Sequence, residues 1–170
     1  MKTIPLSLGY EARIDDRYYA LLKRIRWNVI ETKHTQYAVW YRTSREKVLM
    51  HRMLLGAEPG VVVDHLDGDG LNNQVSNLRI CDRSQNVMHA RRHRPGASRY
   101  KGVDMRKGKW RARIGSYGQR FSLGDYDTEI EAALAYDWAA LWYHGEFAVL
   151  NLWDKTEIAC VSATLVQRWA

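Results

Sequence analysis

Four polar residues in the middle of the sequence have the types that phosphodiester hydrolysis requires. Asp64 and His65 are adjacent, and Asn77 and Asn86 follow downstream. Hydrolysis needs a base that activates water, a cation that stabilises developing negative charge, and a group that holds the base in place. An imidazole is neutral near pH 7 and can accept a proton, so His65 is the candidate base. The Asp64 carboxylate and the Asn86 amide offer the oxygen ligands that Mg²⁺ or Mn²⁺ prefers.

The surrounding residues predict a strand, a long loop, a second strand and a helix. Val61–Asp64 reads as a short apolar strand, and Leu78–Ile80 reads as the second one. Asp82 is placed to cap a helix that ends in basic residues. These elements would position the four polar side chains at the ends of the segments that flank one loop.

Several acidic and amide residues inside this loop are predicted to form turns rather than to bind a metal. They are Asp67, Asp69, Asn72 and Asn73. A calcium-binding loop that began at Asp67 would need a closing acid where Leu78 stands, so we discount that pattern.

The segment VDHLDGDGLNNQVSNLRICDRSQN resembles the core of HNH endonucleases with the ββα-metal fold, in the phage homing-nuclease branch. The resemblance covers Val61–Arg92 and implies that Asp64 is a metal ligand and His65 the general base. It further implies that Asn77 braces the loop and orients His65, and that Asn86 is the second metal ligand. Many members of this family have His at the last position, and Asn86 is a departure shared with the phage branch. His51, in the segment MHRML, resembles an element that precedes the core, and its role is left open.

Positive charge is concentrated in one part of the chain. Between Arg91 and Arg120, eleven Lys and Arg residues stand against a single acid, Asp104, which gives this segment a charge of +10 and leaves −3 for the rest. Within it, Lys109–Ile114 alternates strictly, with three basic residues on one face of a strand and Trp110, Ala112 and Ile114 on the other. Such a face favours a polyanionic partner.

The neighbouring residues predict a small sheet covered by a helix. Lys101–Met105 and Arg120–Leu123 are candidate strands, joined by turns at Lys107-Gly108 and Tyr117-Gly118 into a three-stranded antiparallel meander. Thr128 is predicted to cap a helix. Its apolar stripe is predicted to cover the sheet through Ile130, Leu134, Trp138 and Leu141.

The motifs YKGV, GKWRARI and LGDYDTEIEAALAYDWAALWYHGEFAVLN resemble the Apetala-type, or ethylene-response-factor (ERF), DNA-binding domain, from Ser98 to Asn151. That family lays its sheet into the major groove of DNA. Asp104 and Ser122 stand where plant members often have Arg and Trp, so the recognised sequence does not carry over. Trp110 is interpreted as facing the core. The resemblance and the basic face together give these candidate DNA contacts: Arg99, Lys101, Arg106, Lys109, Arg111, Arg113 and Arg120.

We therefore expect an α+β protein with five regions. These are an N-terminal scaffold of mixed strands and helix, 1–60; an HNH ββα-metal core, 61–92; a linker, 93–98; an ERF-like domain with a three-stranded antiparallel sheet packed on one helix, 99–151; and a C-terminal helix, 152–170. The two cysteines, Cys81 and Cys160, lack metal-site spacing and are expected to be reduced. No stretch is apolar enough to span a bilayer, so the expected location is the cytoplasm of a bacterial host cell, with a phage or mobile element as a source of the gene.

The expected function is sequence-specific, homing-type cleavage of double-stranded DNA, with one divalent ion, Mg²⁺ or Mn²⁺, as cofactor and no obligate protein partner. One alternative is a DNA-binding regulator in which the HNH core is a non-catalytic remnant. Another is an RNA-binding or RNA-processing protein, which the lack of an aromatic stacking row on the basic face disfavours.

Overall fold

The computed structural model describes residues 1–90 and 98–153. The chain forms two compact units, Met1–Arg83 and the part from Ser84 onward. Strands and helices of the first unit are β1 Lys2–Pro5, β2 Glu11–Ile14, α1 Asp16–Leu22, β3 Asn28–Glu31, β4 Gln36–Tyr41, β5 Lys47–Leu49, α2 Met50–Leu54, β6 Val62–His65 and β7 Leu78–Cys81. Helix α3, Arg83–His89, begins at the boundary between the units. The second unit continues with β8 Val103–Arg106, β9 Lys109–Ser116, β10 Gln119–Tyr126 and α4 Glu129–His144.

The first unit is built from small antiparallel sheets. β1 pairs with β2, β4 lies between β3 and β5, and β6 pairs with β7. Alternation along β2 turns Ala12 and Ile14 inward. They join a core whose other buried members include Ile4, Leu22, Trp27, Ala38 and Met50. The mixed strands and helix predicted for residues 1–60 are present, with α1 and β4 among them.

The second unit contains the predicted three-stranded meander, in the spatial order β10-β9-β8. Both hairpin turns have two residues with positive φ, 49° and 79° at Lys107 and Gly108 and 47° and 78° at Tyr117 and Gly118. This is the type I′ geometry that matches the twist of paired strands. In β9, Ala112 and Ile114 are buried while basic side chains face away, which confirms the alternation. Trp110 packs against the buried cluster, as interpreted from the sequence.

Helix α4 begins as predicted but buries a different face. The Thr128 side chain accepts from the Glu131 backbone N–H, and Glu131 reciprocates, which forms a capping box. The predicted stripe was wrong at two of its four positions, because Ile130 and Trp138 are 56% and 43% exposed, whereas Leu134 and Leu141 are partly buried. The buried residues are three alanines and three larger residues: Ala132, Ala133, Ala140, Tyr136, Asp137 and His144. The alanines allow the helix to approach the sheet closely, and Ile130 and Trp138 lie on the exposed side.

Polar contacts hold the segment that follows α4 in the second unit. The Asp137 carboxylate is buried and accepts the backbone N–H groups of Asn151 and Leu152 at 2.8 and 2.9 Å. The Asn151 side chain accepts from the Lys101 N–H at 2.6 Å and donates to the Lys101 carbonyl at 3.0 Å. The residues that precede β8 and the segment that follows α4 are thereby joined.

The α+β class is confirmed, with several small antiparallel sheets and few helices among the described residues. The order strand, strand, helix occurs in β6, β7 and α3, but α3 extends into the second unit, so a ββα-metal core stays a prediction. Ser98, the last residue of the predicted linker, is buried, whereas residues 93–97, Cys160 and the predicted C-terminal helix beyond Trp153 lie outside the described residues. Cys81 is buried. No helix within 1–90 and 98–153 is long and apolar enough to span a membrane.

Gly102 is the most restricted glycine of the second unit. Its φ is +75°, and a β-carbon there would overlap the Tyr136 ring. We expect Gly102→Ala to cost at least about 2 kcal/mol more than Gly118→Ala, because Gly118 shares the positive φ but has open space around it. Chemical denaturation of both variants measures this difference, and equal losses would contradict the packing argument.

His144 is expected to make the second unit sensitive to acid. Burial lowers its pKa below 6.5, and its Nε2 lies 2.8 Å from the Gly115 carbonyl oxygen. Below pH 6.5 the unfolded chain therefore binds a proton more readily than the folded chain, and stability falls by up to about 1.4 kcal/mol per pH unit until the folded pKa is reached.

His144→Gln keeps a side-chain amide for Gly115 and removes the titrating group. The free energy of unfolding, measured by denaturation at pH 7.5, 6.5 and 5.5, should fall less steeply in this variant than in the wild type. His34→Gln is the comparison variant, since it removes an exposed histidine of the first unit and leaves His144 in place. Parallel curves for all three proteins would refute the assignment.

Candidate catalytic site

The hairpin of β6 and β7 places two of the predicted catalytic residues at the end of β6. Asp64 pairs with Arg79 and His65 pairs with Leu78 in the antiparallel register. Because successive strand residues point to opposite faces, the two adjacent side chains enter different environments. Both are nearly buried, with 8% of Asp64 and 4% of His65 exposed.

Asp64 is held by the arginine opposite it. Arg79 donates from Nε and Nη2 to the Asp64 Oδ2 atom, at 3.0 and 2.8 Å. The side chains are only 12% and 9% exposed, so the charge of the carboxylate is matched within the protein. An ionised carboxylate in a fixed position is a suitable ligand for a divalent ion.

His65 lies against two other rings. The ring centroids of His51 and His65 are 4.9 Å apart at an interplanar angle of 84°, an edge-to-face contact. The Tyr37 ring lies 5.3 Å from His51 and 5.8 Å from His65. Tyr37 comes from β4 and His51 from α2, so both elements fix the orientation of the His65 ring.

Burial keeps both histidines neutral. It lowers the pKa of His51 to about 3, with His65 and Arg52 acting in the same direction. It also lowers the pKa of His65, although the Asn73 side chain and nearby aspartates act against it. His65 Nε2 and His51 Nδ1 are buried and have no hydrogen-bond partner within residues 1–90 and 98–153. A neutral ring nitrogen without a partner is able to accept a proton or bind a small molecule.

Asn77 closes the loop between β6 and β7. Its Oδ1 accepts the Asp67 N–H at 3.1 Å, and its Nδ2 donates to Asp67 Oδ1 and to the Asn72 carbonyl, both at 2.9 Å. The Asn77 carbonyl also accepts the Leu66 N–H at 2.9 Å. One residue therefore binds both halves of the loop directly after His65.

The acids of the loop shape its turns. Asp67 accepts the Asp69 N–H at 2.9 Å and the Asn72 side chain at 2.7 Å. Burial alone would raise the pKa of Asp67, but these contacts and Asn77 together lower it. Asp69 accepts the Leu71 N–H and forms an ion pair with Arg13. These contacts agree with the interpretation of both acids as turn formers.

Asp64 and Asn86 are the two predicted metal ligands. Asp64 lies in the first unit, whereas Asn86 lies on α3 in the second unit with its side chain partly exposed. Within the described ranges, no group of three or more His, Cys, Asp or Glu residues could hold a metal ion. A carboxylate and an amide nevertheless match the oxygen chemistry of Mg²⁺ and Mn²⁺. Asn86 as the second ligand stays a prediction.

The second unit presents the predicted basic face. Arg106, Lys109, Arg113 and Arg120 are exposed, and Arg111 is partly buried on the central strand. Asp104 on β8 binds both Arg111 and Arg113. Lys109 forms an ion pair with Asp127. The face therefore contains cations that are ion-paired with acids, namely Lys109, Arg111 and Arg113, together with the exposed Arg106 and Arg120.

Two predicted DNA contacts differ from the others. The Lys101 ammonium donates to the Met88 carbonyl, and burial lowers its pKa to about 8. Lys101 lies before β8, and Gly102, with a positive φ, separates it from the strand. The alternation of β8 therefore does not extend to Lys101, which is not part of the basic face. Arg99 is exposed and lies over the Tyr100 ring, 5.0 Å from its centroid.

Sequence reasoning missed Tyr37 and Arg79 and left His51 without a role. Arg79 was detectable, because antiparallel pairing of the two predicted strands brings it opposite Asp64. Tyr37 gave no signal, since its contact with His65 joins segments far apart in the chain.

Two family models match separate parts of the chain. Residues 48–88 match the HNH endonuclease model, and residues 98–146 match the AP2 domain model. The first match contains Asp64, His65, Asn77 and Asn86, and it also includes His51. The second contains the basic sheet and all of α4.

Several curated plant proteins are similar to part of the chain. APETALA2-like protein 2 of Oryza sativa subsp. indica is 48% identical over 59 residues, which are 33% of this chain and 14% of that protein. Ethylene-responsive transcription factor WRI1 of Arabidopsis thaliana is 48% identical over 60 residues, with the same coverage, 33% and 14%. Dehydration-responsive element-binding protein 2D of Arabidopsis thaliana is 54% identical over 56 residues, or 31% of this chain and 27% of that protein. The chain thus spans less than a third of these relatives.

Asn77→Ala should loosen the loop that follows His65. The variant leaves the Asp67 N–H and the Asn72 carbonyl without their partner, at a cost of about 2 kcal/mol or more in the free energy of unfolding. Urea denaturation followed by tryptophan fluorescence checks this value. Asn28→Ala, on β3, removes a partly buried amide away from the loop and should cost less than about 1 kcal/mol. Similar losses in both variants would show that Asn77 is not a brace.

Proposed function

We propose that the chain is a metal-dependent DNA endonuclease of the HNH type, with its AP2-like sheet holding the enzyme on double-stranded DNA. The HNH and AP2 matches support this combination, because both kinds of domain are consistent with DNA as the partner. The observation that carries the proposal is His65, a neutral buried imidazole adjacent to a paired carboxylate on the HNH hairpin.

The residues of the first unit divide the chemistry among them. His65 accepts a proton from the attacking water, and its Nε2 atom has no other partner in the described residues. His51 and Tyr37 hold the ring, while Asn77 fixes the loop that follows it. Asp64, with Asn86 as the second ligand, would hold one Mg²⁺ or Mn²⁺ ion. When bound, this ion supplies positive charge to the scissile phosphate and the leaving oxygen.

The sheet of the second unit supplies affinity for DNA. Exposed Arg106 and Arg120 can neutralise phosphates, which provides binding without sequence preference. The partly buried Arg111 is held in one orientation and is suited to contacts with base edges. Within this proposal the enzyme is of the homing type, encoded by a phage or mobile element and active in a bacterial cytoplasm.

A second candidate function is a DNA-binding regulator with an inactive HNH remnant. The similarity to proteins named as transcription factors favours it. The buried Asp64 and the buried histidines His51 and His65 favour catalysis, because an inactive remnant has no need of a neutral histidine beside an ion-paired aspartate.

Cleavage in the presence of a divalent ion separates the two functions. We would select plasmids that bind the wild-type protein from a library with random inserts, and then incubate them with Mg²⁺, Mn²⁺ or EDTA. We expect metal-dependent nicks or breaks, with a rate at least about 100-fold lower for His65→Ala. Asp64→Asn should need more metal for the same rate, because it replaces a charged ligand with a neutral one.

The control is His34→Ala, which removes an exposed histidine of the first unit and should cleave like the wild type. Circular dichroism and DNA binding in EDTA show whether each variant is folded. Selective binding without cleavage under any metal would favour the regulator.

A further inference from the structure

The outward face of the second unit contains an acid on each side of its central strand, β9. Asp104 lies on β8 directly opposite Arg111 of β9, and Asp125 of β10 lies opposite the same arginine from the other side. Removing a carboxylate from a DNA-binding surface would increase its attraction for phosphate. A negative charge at Asp104 therefore weakens the attraction of this face for phosphate, so a contribution to general DNA affinity does not explain the residue.

The contact between Asp104 and Arg111 leaves a specific edge of the guanidinium available. Arg111 donates from Nε to Oδ1 at 2.9 Å and from Nη2 to Oδ2 at 3.0 Å. This side-on arrangement uses one edge of the planar fork and leaves Nη1 and the second Nη2 hydrogen for another acceptor. The remaining end-on edge has the geometry that matches O6 and N7 of guanine.

The same carboxylate also holds a second arginine. Arg113 donates from Nη2 to Asp104 Oδ2, and its side chain is 46% exposed, against 22% for Arg111. Arg111 is thus the more confined of the two, on the central strand and between two acids. A confined guanidinium loses little conformational entropy when it binds a base.

We propose that Asp104 is a positioning residue that makes Arg111 a reader of guanine in the major groove of duplex DNA. This inference rests on the DNA-binding part of the proposed function and is independent of cleavage. Asp104 orients Arg111 through the side-on contact, and Arg111 meets the base with its end-on edge.

Another acid beside the basic strand provides a matched control. Asp127 forms an ion pair with Lys109 through one carboxylate oxygen, and both side chains are exposed, 80% and 53%. Lysine has no planar fork to orient. Removing Asp127 changes the charge of the region as much as removing Asp104 does, but it leaves Arg111 untouched.

The experiment uses the full chain in EDTA, so that DNA stays intact. Random 20-base-pair duplexes are selected on the wild type, Asp104→Ala, Arg111→Lys and Asp127→Ala, and the enriched pools are sequenced. Affinities for the pool enriched on the wild type and for poly(dA·dT) are then measured. Thermal melting establishes that each variant is folded.

We expect the wild-type pool to contain a preferred guanine that disappears from the Asp104→Ala and Arg111→Lys pools. The preference for the selected pool over poly(dA·dT) should fall on the order of 10-fold in both. Asp104→Ala should also bind poly(dA·dT) about 2- to 10-fold more tightly, since it lacks a negative charge. Asp127→Ala should keep the guanine preference.

Three outcomes would contradict the proposal or the function on which it rests. If Asp104→Ala binds all duplexes more tightly and still selects the wild-type sequence, Asp104 only tunes charge and the inference is wrong. A wild type that binds duplex DNA without preference would also overturn it, while leaving cleavage open. A wild type that binds no duplex DNA would refute the DNA-binding part of the proposed function itself.

Discussion

The closed loop between β6 and β7 is the constraint on which the candidate catalytic geometry depends. Asn77 binds both halves of the loop, Arg13 of β2 forms an ion pair with Asp69, and Gly70 packs against β4 so closely that a β-carbon would lie 2.7 Å from the Tyr37 ring. Tyr37 in turn contacts His65. The position of the candidate base, His65, is therefore set by the polar contacts of the loop and by the aromatic contact with Tyr37 of β4, in addition to the hairpin itself.

Adjacent residues on β6 reach opposite electrostatic states because of this arrangement. Arg79 matches the charge of Asp64 through two hydrogen bonds, while burial among Tyr37 and His51 lowers the pKa of His65. Titratable neighbours whose environments differ in this way are typical of acid–base chemistry. One strand thus presents a neutral imidazole and an ion-paired carboxylate at adjacent positions.

The sequence predicted local features better than distant contacts. Turn residues, the helix cap at Thr128 and the alternation of β9 depend on neighbours in the chain, and all are present. The predicted buried face of α4 was wrong at Ile130 and Trp138, because the prediction followed the spacing of the large apolar residues. The alanines of the helix are buried instead, where the helix packs closely on the sheet. The contact of Tyr37 with His65 could not be predicted, since it depends on how separate sheets meet. Asn86 as a metal ligand rests on resemblance alone.

Charge on the second unit shows how affinity and selectivity can be separated on one sheet. A residue that binds phosphate needs only a nearby positive charge, so exposed side chains such as Arg106 and Arg120 are adequate. A residue that reads a base needs a fixed direction, which an unrestrained arginine reaches only by losing rotamer freedom. Asp104 restrains Arg111 in the free protein and lowers the net charge of the same face. Within the proposed DNA-binding function, both effects would reduce binding to arbitrary DNA relative to a matching site. General attraction would decrease, while the entropic cost of ordering Arg111 would already be met in the fold.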